Sequence, residues 1–192
     1  MAKAARQVER VFRRPSPLAD IAVQGRFGAD KGDAGVALSI RHPLSIATVI
    51  ARKGKAKALG DALAAMRGVT VLWAGPEQYF VQAEGRGEAA LAAELSTALA
   101  GIASVSDQSH GRVVIRIEGP KVRAVLAKGT PVDLHADAFP LGKSALTQMA
   151  HVGVHLTRVG GDAFDLSVFR GFSESFWEWL CEQSEEFGYL VR

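Results

Sequence analysis

Between residues 107 and 112 the chain sets a carboxylate, an amide, a hydroxyl, an imidazole and a guanidinium almost side by side, as Asp107, Gln108, Ser109, His110 and Arg112. These are the ingredients of a general acid or base and of an anion clamp. Their spacing limits what they can do together. If the approach from Ile102 to Asp107 is extended, alternation puts Asp107 and Ser109 on one face and Gln108 and His110 on the other. The groups converge only if Gly111 bends the chain. Three readings stay open for them: a polar turn bonded to local backbone or to a partner, a ligand contact, and catalysis, with the first preferred. A hydrolase triad of Ser109, His110 and Asp107 is disfavoured, since adjacent serine and histidine rarely reach nucleophile-to-base geometry and no Gly-x-Ser-x-Gly elbow is present.

Other residue types invite chemistry and fail on spacing. His135, His151 and His155 lie near Asp133 and Asp137. The i, i+4 pair His151 and His155 would align on a helix, but the intervening Val-Gly-Val favours strand and turn, where the pair stands about 13 Å apart. Gly25-Arg-Phe-Gly28 and Gly32-Asp-Ala-Gly35 lack a dinucleotide or Walker pattern. No catalytic, cofactor-binding or metal-binding residue is assigned. Trp73, Trp177 and Trp179 read as core or interface anchors. Trp177 and Trp179 stand about 200° apart on a helix, so one of them is expected to miss the core and meet a neighbouring subunit.

The elements that hold these residues can be read from periodicity. Val113, Ile115 and Ile117 alternate with Val114, Arg116 and Glu118 as a strand. Upstream, Val36–Ile40 and Leu44–Ile50 read as strands, with a glycine- and aspartate-rich loop before them over residues 27–35. Lys55–Met66 reads as an amphipathic helix, residues 69–73 and 78–82 as a hairpin, and 88–100 as a second helix ending at Gly101. Downstream come a short helix over 120–127, a proline-containing excursion over 128–143, strands over 145–151, 154–159 and 163–168, and a helix over 173–187. The expected class is α+β, with two consecutive split β-α-β (ferredoxin-like) units. Residues 1–15 form a basic N-terminal arm, 16–110 the first unit and 111–192 the second, the two packed as one compact body.

Composition narrows the function classes. Of 192 residues, 48% are hydrophobic and 22% charged, ordinary values for a globular protein. The single cysteine, Cys181, excludes an intramolecular disulfide and a cysteine-based zinc site, and suits a reducing compartment. It reads as a small buried hydrophobe. The net charge of +3 is small and carries no nucleic-acid motif. No stretch approaches the ~20 apolar residues of a membrane span. Neither nucleic acid nor membrane is an expected partner, and the expected location is the cytoplasm. The arginines at 6, 10, 13 and 14 read either as a tail or as an arm that meets a partner.

Four separated motifs carry a resemblance. Asp107-Gln-Ser-His-Gly-Arg112, Val125-Leu-Ala-Lys-Gly-Thr-Pro-Val-Asp-Leu-His135, Leu72-Trp-Ala-Gly-Pro-Glu-Gln78 and Phe176-Trp-Glu-Trp-Leu180 together resemble the gamma subunit of heterotetrameric sarcosine oxidase. The resemblance runs from about Ser16 to the end of the chain. It implies a fold related to the folate-binding domains of the aminomethyltransferase (glycine-cleavage T protein) family. It also implies a place beside alpha, beta and delta subunits, in a complex that oxidises sarcosine to glycine, releases hydrogen peroxide and passes the one-carbon unit to tetrahydrofolate. FAD, FMN and NAD would belong to the alpha and beta subunits and zinc to delta, leaving this chain non-catalytic. Two alternatives remain: a free-standing folate-binding or aminomethyl-transferring protein, and a gamma-type subunit for another N-methylated amino acid.

Overall fold

Alternation within Arg112–Glu118 sets the layering of the molecule. Val113, Ile115 and Ile117 point to one side of the strand and Arg112, Val114 and Arg116 to the other. Both sides are covered in the computed structural model, which describes residues 15–29, 32–87 and 89–192. One side meets helices and the other meets a second sheet.

Among the described residues the elements are β1 (Gly25–Phe27), β2 (Val36–Ile40), β3 (Ser45–Ala51), α1 (Ala56–Ala65), β4 (Thr70–Gly75), β5 (Gln78–Ala83), α2 (Ala90–Ala98), β6 (Ala103–Asp107), β7 (Arg112–Glu118), α3 (Val122–Ala127), β8 (Ser144–Met149), β9 (Val152–Gly160), β10 (Ala163–Phe169), α4 (Ser173–Ser184) and β11 (Tyr189–Val191). A seven-stranded sheet runs β1-β11-β2-β7-β10-β9-β8, and a four-stranded sheet runs β4-β5-β3-β6. The smaller sheet with α1 and α2 is a contiguous β-α-β-β-α-β unit, as the periodicity predicts. The protein is a mixed α+β fold.

Each sheet buries one face under helices. Leu59 and Leu63 of α1 and Leu91 and Leu95 of α2 each lie one turn apart, and both pairs seal Ala47, Val49 and Val81 of the smaller sheet. Val125 and Leu126 of α3 and Phe176, Trp177 and Leu180 of α4 do the same for Ile115, Leu156 and Leu166 of the larger one. Full burial of a leucine such as Leu59 contributes about 1.5–3 kcal/mol. The remaining faces meet through Leu44, Ile46, Leu72, Ala74, Phe80 and Val114, so the layers run helix, sheet, sheet, helix.

The expected boundary at residues 110 and 111 does not follow the sheets. β2 lies in the larger sheet, where Leu38 faces Ile117 and Ile40 faces Ile115 on antiparallel β7, while β3 begins five residues later in the smaller one. The larger sheet is thus closed by strands from before and after the smaller unit. β1 ends at Phe27, the first residue of the stretch expected to be loop, and neither it nor β11 carries periodicity long enough to read; both exist because they pair with each other and β11 pairs with β2. The strand expected over 145–151 stops at Met149, since Ala150 and His151 take φ of 49° and 64° in the two-residue turn to β9. Residues 1–14 of the basic arm lie outside the described residues.

Candidate functional site

The polar cluster at 107–112 folds as a locked turn. Asp107 ends β6, and its Oδ1 accepts hydrogen bonds from the Ser109 N–H at 2.8 Å and the Ser109 hydroxyl at 2.6 Å. Ser109 is buried, and its Oγ accepts from the Ile46 N–H at 3.0 Å. Gln108 donates its N–H to the Ile46 carbonyl at 2.8 Å and accepts from the Gly111 N–H at 2.9 Å. A Cβ on Gly111 would stand 3.0 Å from the side-chain oxygen of Gln108, the mobile end of that side chain. The turn therefore fastens the β6–β7 connection, which crosses between sheets, onto β3. Asp107 and Ser109 come together, His110 is exposed, and the Arg112 guanidinium stacks on Phe80 and Phe169. No imidazole lies between the Asp107 carboxylate and the Ser109 hydroxyl, so this geometry does not build an activated nucleophile.

Cross-strand register assembles a second polar group on the inter-sheet face of the larger sheet. Asp165 sits opposite Arg116 on β7 and opposite Thr157 on β9. Arg116 holds it in a fork, Nε to Oδ1 at 2.7 Å and Nη2 to Oδ2 at 2.9 Å, and Arg41 adds a bond to Oδ2 at 3.1 Å. Hydrogen bonding to Asp165 raises the Arg116 pKa against the opposing effect of burial. Arg41 also pairs with Glu84. This group lines an open cavity of about 670 Å³ whose apolar wall includes Leu44, Leu72 and Leu141. Both Asp165 oxygens are already engaged by guanidinium groups, which leaves the carboxylate poorly placed to act as a base.

At the other end of the same strands Arg112 faces Phe169 across β7 and β10. Its guanidinium carbon lies 4.2 Å from the Phe169 ring centroid and 4.5 Å from that of Phe80, which comes from the smaller sheet. His155, buried on β9, packs edge-on against Phe80 and sits 2.8 Å through Nε2 from the Trp73 carbonyl. Burial lowers the His155 pKa; the Trp73 bond acts against this, and the nearby Arg112 charge adds to it. Arg112 and His155 line a second open cavity of about 370 Å³.

The remaining sequence-derived residues separate. His135 is exposed beside Asp137, His151 is in the β8–β9 turn, and His155 is in the sheet. Among the described residues no three His, Cys, Asp or Glu side chains group as metal ligands. Trp177 is buried in the core, and Trp179, expected to be kept from that core if Trp177 is in it, packs partly buried against its margin and stacks on Phe176. The spacing argument failed because Gly129, just past α3, leaves room beside α4 for the second indole. Asp165, Phe80 and Phe169 were not singled out from the sequence. The signal for Asp165 was a charge inside Phe164-Asp-Leu-Ser-Val168, a run apolar enough to be buried on both faces. Among the described residues no helix is long and apolar enough to cross a membrane.

Residues 38–186 match the family described as sarcosine oxidase, gamma subunit family. Sarcosine oxidase subunit gamma of an Arthrobacter species is 35% identical over 136 residues, which cover 70% of this chain and 66% of that protein. The subunit of the same description from Corynebacterium sp. strain U-96 is 33% identical over 135 residues, covering 70% of this chain and 65% of that protein. The chain thus spans just under two thirds of the length of these relatives. Among solved structures, a chain of heterotetrameric sarcosine oxidase from Corynebacterium sp. U-96, in complex with pyrrole 2-carboxylate, matches with a TM-score of 0.76 at 28% identity, over 91% of this chain and 96% of that one. Glycine cleavage system aminomethyltransferase T from Bartonella henselae matches with a TM-score of 0.64 at 18% identity, over 88% of this chain and 57% of that one, a likeness of fold.

Proposed function

Because this chain belongs to the sarcosine oxidase gamma subunit family, we propose that it is a non-catalytic structural and assembly subunit of a heterotetrameric sarcosine oxidase. The observation that carries this reading is the match of nearly a whole chain of such a complex, at a TM-score of 0.76. The internal hydrogen bonding of Ser109, Asp107 and Asp165 supports it, because groups committed to one another are poor catalysts and good scaffolding. In this reading the complex oxidises sarcosine to glycine with release of hydrogen peroxide and passes the one-carbon unit to tetrahydrofolate. FAD, FMN, NAD and zinc reside on the alpha, beta and delta subunits, and the assembly works in the cytoplasm. Gln108 and His110 on the 107–112 turn, and the exposed edge of Trp179, are the surfaces through which the chain meets those partners.

The test is a pull-down of the tagged chain from its native host. Recovery with a flavoprotein and a small zinc-binding protein is the expected result. Recovery as a free monomer with no flavin would overturn the reading. A second reading, a free-standing folate-binding protein, draws on the 670 Å³ cavity with Arg41, Arg116 and Gln82 in its wall. Tetrahydrofolate titrated into the purified chain separates the two, since heat of binding favours the second and its absence removes it.

A further inference from the structure

Arg112 differs from Arg41, Arg116 and Arg158 in having no acceptor for its side chain among the described residues. Arg116 and Arg41 share Asp165, and Arg158 spends its donors on the carbonyls of Ala136, Phe139, Gly160 and Gly161. Arg112 Nε is buried with no hydrogen-bond partner among the described residues, and no ion pair among them includes this side chain. Burial lowers its pKa, and no carboxylate among the described residues acts against that. The two phenyl faces at 4.2 and 4.5 Å fix the plane of the guanidinium but supply no lone pair. A half-buried cation in this state gains strongly from an anion delivered from outside, since a paired and desolvated charge is worth far more than an unpaired one.

The space beside Arg112 is shaped for such a delivery. The 370 Å³ cavity is walled by Leu146, Thr147, Gln148, Val154, His155 and Phe169, with no acidic side chain among the described residues of its lining. It is large enough for a side chain and its flanks. Its rim is apolar and open: Leu146 is 54% exposed and Phe169 50%. Exposed apolar side chains around a central charge match the anatomy of a docking patch, where the rim excludes water from the ion pair. A small free anion would leave Leu146 and Phe169 in water, whereas a protein surface covers them.

We propose that the Arg112 cavity, rimmed by Leu146 and Phe169, docks an aspartate or glutamate side chain flanked by apolar residues, carried by another subunit of the complex. This rests on the subunit reading above and names one of its contact points.

The experiment uses the complex purified from the host. Leu146→Asp places a carboxylate on the exposed rim beside Arg112, and Arg112→Met keeps a long apolar side chain between the rings while removing the charge. Each variant chain is first checked for an unchanged melting temperature, and subunit dissociation is then measured by native mass spectrometry on dilution. The expected result is weakening of assembly by about tenfold or more for both variants. Arg112→Lys, which keeps the charge and loses the planar stack, should fall between them and the unaltered chain. If Arg112→Met does not fold, Leu146→Asp decides alone. Assembly of Leu146→Asp within about twofold of the unaltered complex overturns the proposal. So does saturable binding of benzoate to the isolated chain at Arg112 with assembly unaffected, which would make the site one for a free anion. Failure of the unaltered chain to recover any partner would instead refute the subunit reading itself.

Discussion

His155 and Trp73 join the two sheets through one hydrogen bond, Nε2 of the buried imidazole to the backbone carbonyl at 2.8 Å. A carbonyl only accepts, so His155 carries its proton on Nε2 when neutral. Burial, the largest effect, pushes its pKa below the ordinary value near 6.5, and the Trp73 bond opposes this without reversing it. The unfolded chain therefore takes up a proton at this residue before the folded chain does. Stability contributed here is complete above about pH 6.5 and declines as pH falls from there toward the lowered folded value. The melting temperature should drop more steeply between pH 7.5 and pH 5 than in His155→Gln, which donates to Trp73 but does not titrate. Parallel slopes would show that His155 is not the titrating group.

Ser109→Ala should destabilise the chain by about 1–3 kcal/mol in urea unfolding, because it leaves the Ile46 N–H and one Asp107 contact without their partner. A change below about 0.5 kcal/mol would mean that water replaces the hydroxyl and that the turn is not locked by it.

Asp165→Ala removes the shared acceptor of Arg116 and Arg41 and should cost about 3 kcal/mol or more, since the partly buried Arg116 loses its counter-charge and Arg41 is left with Glu84 alone. Asp165→Asn, which keeps an acceptor, should cost less. The order of the two denaturation midpoints is the check.

Gly129→Val should disturb Trp179 specifically. A Cβ at this position would stand 2.4 and 2.6 Å from two ring carbons of the indole, so either the ring or the backbone after α3 must move. A loss of about 1–3 kcal/mol is expected, with a red shift of tryptophan emission as the ring enters water. Unchanged emission would place the adjustment in the backbone.

His110→Ala should leave turnover per flavin nearly unchanged in whatever complex assembles, because the exposed imidazole stands apart from the Asp107 and Ser109 pair. An intact complex slowed about 100-fold or more would mark His110 as a general acid or base.

Much of this architecture follows from local patterns. Leu59 with Leu63 and Leu91 with Leu95 repeat at the helical period, Val113, Ile115 and Ile117 repeat at the strand period, and the order of these segments is enough to mark the smaller sheet as a split β-α-β unit. The four motifs likewise carry the family without coordinates. Which strands share a sheet was decided only in three dimensions. β2 and β3 are near neighbours in the chain and read alike, yet β2 pairs with β7 and β3 with β5 and β6, since the partners of a strand's backbone groups lie far away in sequence. The same holds for the two arginines of β7. Arg112 and Arg116 lie on one face of one strand and are indistinguishable by pattern, but the register of β10 sets Phe169 against the first and Asp165 against the second. One becomes a satisfied ion pair and the other a cation awaiting its anion, because a charge takes its energy from the groups within a few ångströms of it, and those are placed by the packing of distant segments.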